Sequence, residues 1–152
     1  MSLPTLRILA FINGIFLVTL AVSMLVPVGT LMVFQQPQGI NAFLWSSLIT
    51  FVAGIAMIAQ GRPQHGQLRP RDMYMLTVSS WVLVSIFATL PFIFTQHASF
   101  TDAYFESMSG ITATGATIFT GLDSMSPGIL IWRSLLHWLG GIGFIAMAVA
   151  IL

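Results

Sequence analysis

The sequence predicts an all-α integral membrane protein with four transmembrane helices and one short re-entrant helix followed by a non-helical loop. Three observations lead to this fold class. The 152 residues are 57% hydrophobic and 6% charged, whereas a water-soluble domain carries about a quarter charged residues. Four apolar runs are long enough to cross a bilayer, which takes about 20 residues. A short amphipathic stretch and an uncharged Gly- and Thr-rich stretch separate the last two runs.

The charge and cysteine content exclude several classes of protein. Five arginines, four acids and no lysine give a net charge of +1, which is too small to suggest nucleic-acid binding. Cysteine is absent, so the chain has no disulfide framework, no thiolate nucleophile and no cysteine-based metal site. The lipid bilayer is therefore the expected surrounding, and no nucleic acid is expected as a partner.

The apolar runs are expected to be helices, because the backbone in lipid must satisfy its own hydrogen bonds. The first run is longer than the apolar core of a secretory signal, about 7–15 residues, so we interpret it as a retained membrane helix. We expect it to bend near Pro27. The last run reaches Leu152 without a polar flank, so we expect the chain to be the front of a longer protein. The runs cover residues 8–34, 42–59, 73–94 and 129–152.

The arginines predict the orientation of the runs. Arginine collects in cytoplasmic connections, and the connection 61–72 contains Arg62, Arg69 and Arg71. This connection and the N-terminus, which contains Arg7, are therefore expected inside the cell. Residues 96–127, with three of the four acids, are then expected outside.

A short helix is predicted within "SFTDAYFESMSG". Ser99 and Asp102 have the spacing of a helix N-cap. Residues 101–110 would form a helix of about 15 Å, which is half the thickness of the hydrocarbon core. Such a helix dips into the membrane without crossing it, and Gly110 is a reasonable helix stop.

The stretch "GITATGATIFTG" at 110–121 must then return to the outer surface. Non-helical backbone at membrane depth is tolerated only where it is buried in protein or lines a watery cavity. Gly115 permits torsion angles that other residues resist, so neighbouring carbonyls can point the same way and replace the water around a potassium ion. The residues alone leave two interpretations open: a pore helix with a filter loop, or an ordinary outer loop.

The strings "FTDAYFESMSGITATGATIFTGLDSM" and "WRSLLHWLGGIGFIAMAVAIL" closely resemble the membrane subunits of the Trk/Ktr/HKT superfamily of potassium transporters. The resemblance implies four helix–pore loop–helix units in one chain, arranged around a single potassium path. Residues 73–152 would be the first unit, with the pore helix at about 101–110 and the filter at about 112–117. Residues 1–72 would form two N-terminal transmembrane helices and the arginine-rich cytoplasmic loop.

The resemblance also assigns the filter residues. Gly115 matches the characteristic filter glycine, and backbone carbonyls around it would bind the ion, with K⁺ at Ala113 and Thr114. The family usually has threonine where this chain has Ala113, but a backbone ligand does not depend on the side chain. The implied carbonyl ligands are those of Ala113, Thr114, Gly115 and Ala116.

Four side chains are expected to support the filter: Thr112, Thr117, Glu106 and Arg133. A charge inside a membrane helix usually has a partner, and Glu106 is the candidate partner for Arg133. As an alternative, Arg133 extends to the outer headgroups beside an interfacial Trp132.

The resemblance implies potassium uptake across the bacterial inner membrane, with potassium as transported substrate, no cofactor and no enzymatic activity. The implied partners are the remaining three pore units of the parent protein, a cytoplasmic nucleotide-binding regulatory subunit and a second copy in a homodimer. One unit cannot enclose an ion, so a non-conducting membrane fragment or assembly module is an alternative. An intramembrane serine protease using Ser109 and His137 is a remote alternative, since His137 is better explained by packing.

Overall fold

The computed structural model describes the backbone of residues 3–61 and 70–151 and the side chains of residues 5–61 and 71–143. All regular structure in these residues is helical, as the sequence predicts. A 3₁₀ turn at Leu122–Ser124 accompanies the α-helices. These are α1 (Leu3–Ser23), α2 (Leu25–Val33), α3 (Ile40–Gln60), α4 (Pro70–Ala88), α5 (Leu90–Gln96), α6 (Phe100–Ile111) and α7 (Pro127–Ile151).

Prolines divide two of the long apolar segments into consecutive helices. The first is interrupted at Met24, three residues before Pro27, which agrees with the bend expected there. The other is interrupted at Thr89, two residues before Pro91, which the sequence analysis did not anticipate. Proline lacks the N–H that the carbonyl four residues earlier would accept. The hydroxyl of Thr89 donates to the carbonyl oxygen of Ile86 at 2.6 Å, beside this interruption.

Three segments of the described chain are long and apolar enough to cross a membrane, so the protein is a helical membrane protein. They are Thr5–Val33, Ile40–Gln60 and Arg71–Gln96. The second and third segments include the predicted runs 42–59 and 73–94, and the first segment covers the predicted run 8–34 except for its last residue. The fourth run corresponds to α7, which is a 25-residue helix. Most of the connection 61–72, including Arg62 and Arg69, lies outside the described residues.

Small residues allow α1 and α3 to pack closely. A Cβ placed on Gly14 would lie 2.8 Å from the carbonyl oxygen of Gly54. A Cβ on Gly54 would lie 3.0 Å from the carbonyl oxygen of Gly14, so the two backbones touch. Membrane helices associate through such close contacts because lipid supplies no hydrophobic driving force between them.

Polar side chains link α1 to α4. The amide of Asn13 donates to the hydroxyl of Ser79 at 3.1 Å, and the hydroxyl of Ser80 donates to the Asn13 carbonyl oxygen at 2.8 Å. Asn13 is 4% exposed, so these bonds satisfy a polar group that would otherwise be costly to bury.

Trp132 on α7 lies at the centre of the apolar core. Its side chain is fully buried and meets Phe43 edge to face, with ring centroids 6.3 Å apart. Its indole N–H donates to the carbonyl oxygen of Ala88 at 3.3 Å, so the polar end of the ring is also satisfied. Trp132 therefore packs inside the helical core and does not extend to headgroups beside Arg133.

The C-terminal end of α6 rests against α7 at two glycines. A Cβ on Gly110 would lie 2.8 Å from the Cβ of Leu136. A Cβ on Gly140 would lie only 2.1 Å from the carbonyl oxygen of Ile111. Gly140 therefore allows the two helices to pack closely, and this contact fixes the position at which α6 ends beside α7.

We expect Gly140→Ala to separate α6 from α7, because the new methyl group has no space against the Ile111 backbone. Overpacking of this kind costs about 1–3 kcal/mol. Thermal unfolding of the purified protein in detergent should therefore begin at a lower temperature.

The matched control is Gly141→Ala, because a Cβ on Gly141 meets nothing within 4 Å. If both variants unfold at the same temperature, the tight contact between α6 and α7 does not contribute to stability.

Candidate functional site

The short helix α6 begins and ends at recognisable capping residues. The hydroxyl of Ser99 accepts the backbone N–H of Asp102 at 3.2 Å, so the predicted N-cap is confirmed. The helix has 12 residues, a length of about 18 Å, so it is too short to cross a bilayer. Its C-terminal residues Ser109, Gly110 and Ile111 are buried.

The backbone after α6 reverses through two residues with positive φ. Ala113 has a φ of +55° and Gly115 has a φ of +79°. The N–H of Ala113 donates to the carbonyl of Gly110, and the N–H of Thr114 donates to that of Ser109, both at 2.9 Å. This pattern is a Schellman helix end. The left-handed position usually contains glycine and here contains Ala113, at a cost of about 1–2 kcal/mol.

The helix end determines where two carbonyl groups point. No cis peptide bond occurs in the described residues, and the N–H and C=O of a trans peptide point in opposite directions. Because the N–H groups of Ala113 and Thr114 face α6, the carbonyls of Thr112 and Ala113 face away from it. Residues 112–118 are all exposed, so these oxygens lie on an open surface of the chain.

The Ala116 carbonyl has a different environment. Its oxygen accepts the hydroxyl of Ser109 at 2.7 Å and therefore points toward α6. A carbonyl oxygen has two lone pairs, and this hydrogen bond occupies one of them. Of the four carbonyls expected to bind the ion, that of Ala116 is thus already engaged by a protein donor.

The carboxylate of Glu106 attaches the returning segment to α6. Its Oε1 accepts the backbone N–H of Ile118 at 2.7 Å and that of Phe119 at 3.3 Å, and it also accepts the hydroxyl of Thr117. Glu106 is 3% exposed, so these bonds replace the water that the carboxylate loses. The sequence indicated neither the contact between Glu106 and Thr117 nor the contacts with the backbone.

The ion pair expected between Glu106 and Arg133 is also present. Arg133 Nη2 lies 3.4 Å from Glu106 Oε2, and the two side chains are 12% and 2% exposed. The second terminal nitrogen, Nη1, is buried and has no hydrogen-bond partner in the described part of the chain. This burial favours pairing over extension of Arg133 to the headgroups.

The hydroxyls of Thr112 and Thr114 stabilise the first residues of the segment that follows α6. They lie 2.8 Å apart, and the hydroxyl of Thr112 donates to the carbonyl of Met108 at 2.8 Å. The support expected from Thr112 thus has a structural basis in this pair of contacts.

The polar groups of Ser109 and His137 contact backbone carbonyls and not each other. His137 Nδ1 lies 2.9 Å from the carbonyl oxygen of Arg133, one turn earlier on α7. The Ser109 hydroxyl is engaged by Ala116. The two side chains therefore lack the mutual hydrogen bond that a serine nucleophile and its base require. The described residues also contain no cluster of acids and histidines that could hold a metal ion.

The fold and the loop define a class of protein: a helical membrane protein in which a half-length helix leads into exposed backbone carbonyls. This arrangement suits a dehydrated cation. The family model of TrkH, described as cation transport protein, matches residues 38–152. The chain belongs to the TrkH family of cation transport proteins.

Individual relatives agree with this assignment. The chain is 34% identical over 148 residues to the Trk system potassium uptake protein TrkH of Escherichia coli K12, covering 96% of the chain and 30% of that protein. It is 37% identical over 150 residues to the Trk system potassium uptake protein TrkI of Halomonas elongata, covering 98% of the chain and 30% of that protein.

A solved structure has the same fold. The crystal structure of the potassium transporter TrkH from Vibrio parahaemolyticus superimposes with a TM-score of 0.90 and 32% identity, covering 99% of the chain and 32% of that structure. The chain thus spans about 30% of the length of the curated relatives. Family membership confirms the resemblance seen in the sequence and identifies the chain as belonging to transport proteins, not enzymes.

We expect Glu106→Gln to destabilise the protein, because it leaves Arg133 buried without a counter-charge. Glutamine keeps an acceptor oxygen for the Ile118 N–H, so the variant tests the effect of the charge separately from that of the hydrogen bond. Breaking a buried pair costs about 3 kcal/mol. Thermal unfolding in detergent measures the loss, with the exposed carboxylate variant Asp123→Asn as control.

A double variant, Glu106→Gln with Arg133→Gln, should recover part of this stability because both charges are removed. Equal unfolding temperatures for Glu106→Gln and Asp123→Asn would contradict a stabilising ion pair.

Proposed function

We propose that this chain supplies one pore-loop unit of a potassium uptake transporter. The observation that carries the proposal is the helix end at Ala113, which directs the carbonyls of Thr112 and Ala113 away from α6. A ring of such oxygens from several units replaces the hydration shell of a potassium ion. The relatives named for potassium uptake support the choice of ion.

In this proposal the carbonyls of Ala113 and Thr114 are the principal K⁺ ligands, and that of Gly115 continues the filter. The carbonyl of Ala116 is not assigned to the ion in this arrangement, because the Ser109 hydroxyl holds it toward α6. The C-terminal end of α6 carries a partial negative charge of about half an electron, which favours a cation at this position. The side chains of Thr112, Thr117, Glu106 and Arg133 support the loop without contacting the ion.

We propose four membrane crossings: α1 with α2, α3, α4 with α5, and α7. The N-terminus is cytoplasmic in this arrangement, because the connection 61–72 carries three arginines. Residues 97–126 then lie on the outer side of a bacterial inner membrane. Reaction of an engineered cysteine at Asp123 with an impermeant thiol reagent in intact cells tests this orientation, since the chain has no native cysteine.

One unit presents an open surface, so the complete ion path requires three further units from the whole transporter. A cytoplasmic nucleotide-binding regulatory subunit and a second copy of the transporter are proposed as partners on the family resemblance. Co-purification of the complete transporter with a nucleotide-binding subunit, and its mass in native mass spectrometry, test these two proposals.

The alternative for the chain by itself is a non-conducting assembly module, but the relatives named for potassium uptake favour a conducting unit. Potassium flux into liposomes separates the two. We expect flux with the complete transporter and none with the 152-residue chain alone. Flux through the chain alone would show that copies of it can assemble a pore.

We expect Gly115→Ala to reduce potassium uptake about tenfold. Alanine at a φ of +79° costs about 1–2 kcal/mol, and relief of this strain rotates the neighbouring carbonyls. Growth at limiting potassium and uptake of radioactive rubidium, in bacteria that lack their own potassium uptake systems, measure the loss.

The matched control is Gly121→Ala, which imposes similar strain at a φ of +71° but lies beyond the proposed ligands. We expect uptake by this variant within about twofold of the wild type. Equal losses in the two variants, at equal amounts of protein in the membrane, would refute a filter centred on Gly115.

A further inference from the structure

We propose that Ser109 is a positioning residue that sets ion selectivity by holding the Ala116 carbonyl against α6, out of the ion path. This inference rests on the proposed function and adds a residue that contacts no ion itself. In this proposal a single hydroxyl group sets the position of the outermost carbonyl in the filter segment of this chain.

Ser109 holds the filter backbone on both sides of Gly115. Its carbonyl oxygen accepts the N–H of Thr114 at 2.9 Å, and its hydroxyl donates to the carbonyl of Ala116 at 2.7 Å. Residues 114–116 are therefore attached at both ends to one buried residue, which is 6% exposed. Gly115, with its positive φ, lies between the two attachments.

The two attachments have opposite effects on the carbonyls. The bond to the Thr114 N–H directs the Ala113 carbonyl away from α6, because the two groups share one trans peptide. The bond to the Ala116 oxygen directs that carbonyl toward α6. Ser109 thus separates a carbonyl that faces the open surface from one that is held back.

Glu106, one turn earlier on α6, secures the next residues independently of Ser109. It accepts the N–H groups of Ile118 and Phe119, so the segment after Ala116 stays attached when the Ser109 hydroxyl is removed. Loss of that hydroxyl should therefore release one peptide group instead of the whole loop.

Selectivity depends on the number and rigidity of the carbonyls around the ion. A released Ala116 carbonyl can turn toward the ion path and join the ligands of a smaller, more strongly hydrated ion. We therefore expect Ser109→Ala to weaken discrimination against sodium while transport continues.

Ser107 provides a matched control two residues earlier on the same helix. It is fully buried, and its hydroxyl has no hydrogen-bond partner among the described residues. Ser107→Ala removes the same atoms without releasing a filter carbonyl. Ser109→Thr is the conservative variant, because it keeps a hydroxyl donor.

The experiment uses the complete transporter that contains this chain, in bacteria lacking other potassium uptake systems. Rubidium uptake is measured at increasing sodium, and the sodium concentration that halves uptake is divided by the KM for potassium. We expect this ratio to fall about fivefold in Ser109→Ala, the effect of one lost hydrogen bond. Ser109→Thr and Ser107→Ala should remain within about twofold of the wild type.

An unchanged ratio in Ser109→Ala, with uptake intact in the wild type, overturns the role of Ser109. A fall of equal size in Ser107→Ala also overturns it, because the effect then follows packing. If Ser109→Ala does not reach the membrane, Ser109→Cys replaces it: its weaker donor should lower the ratio, and an unchanged ratio again overturns the proposal. Absence of potassium uptake in the wild type instead refutes the proposed function.

Discussion

The buried carboxylate of Glu106 holds together the elements that form the site. It pairs with Arg133 on α7 and accepts two backbone N–H groups from the segment that returns after α6. One side chain therefore joins the short helix α6, the irregular segment that follows it and the long helix α7. Backbone N–H groups that leave water need a protein acceptor, and Glu106 supplies one for Ile118 and Phe119.

The position of α7 determines whether the ion pair between Glu106 and Arg133 can form. Gly140 lets the α7 backbone touch the end of α6 at Ile111, and Trp132 fills the core beside Phe43. These contacts bring Arg133 within 3.4 Å of Glu106. A buried ion pair contributes little net stability compared with apolar packing, but loss of one partner is costly. We propose that the ion pair between Glu106 and Arg133 serves to hold the loop in one place.

The conformation of the loop follows from how α6 ends. A Schellman helix end turns the carbonyls of Thr112 and Ala113 outward, and the Ser109 hydroxyl turns that of Ala116 back. The orientations of these three carbonyls thus result from helix capping and from one side chain. Alanine suffices at position 113 in this proposal, because the proposed ligand is a peptide oxygen and the side chain only has to accept a positive φ.

The helical membrane fold, the short length of α6, its Ser99 cap and the family could be predicted from the amino-acid sequence, because each depends on composition, local spacing or a specific string of residues. The sequence also indicated the pairing of Glu106 with Arg133, because a charge in a membrane helix requires a partner. The burial of Trp132, the bond from Ser109 to Ala116 and the bond from the Ile118 backbone to Glu106 could not be predicted in this way. These contacts depend on the relative positions of segments that meet only after packing, and an apolar run or a turn signal specifies no such position.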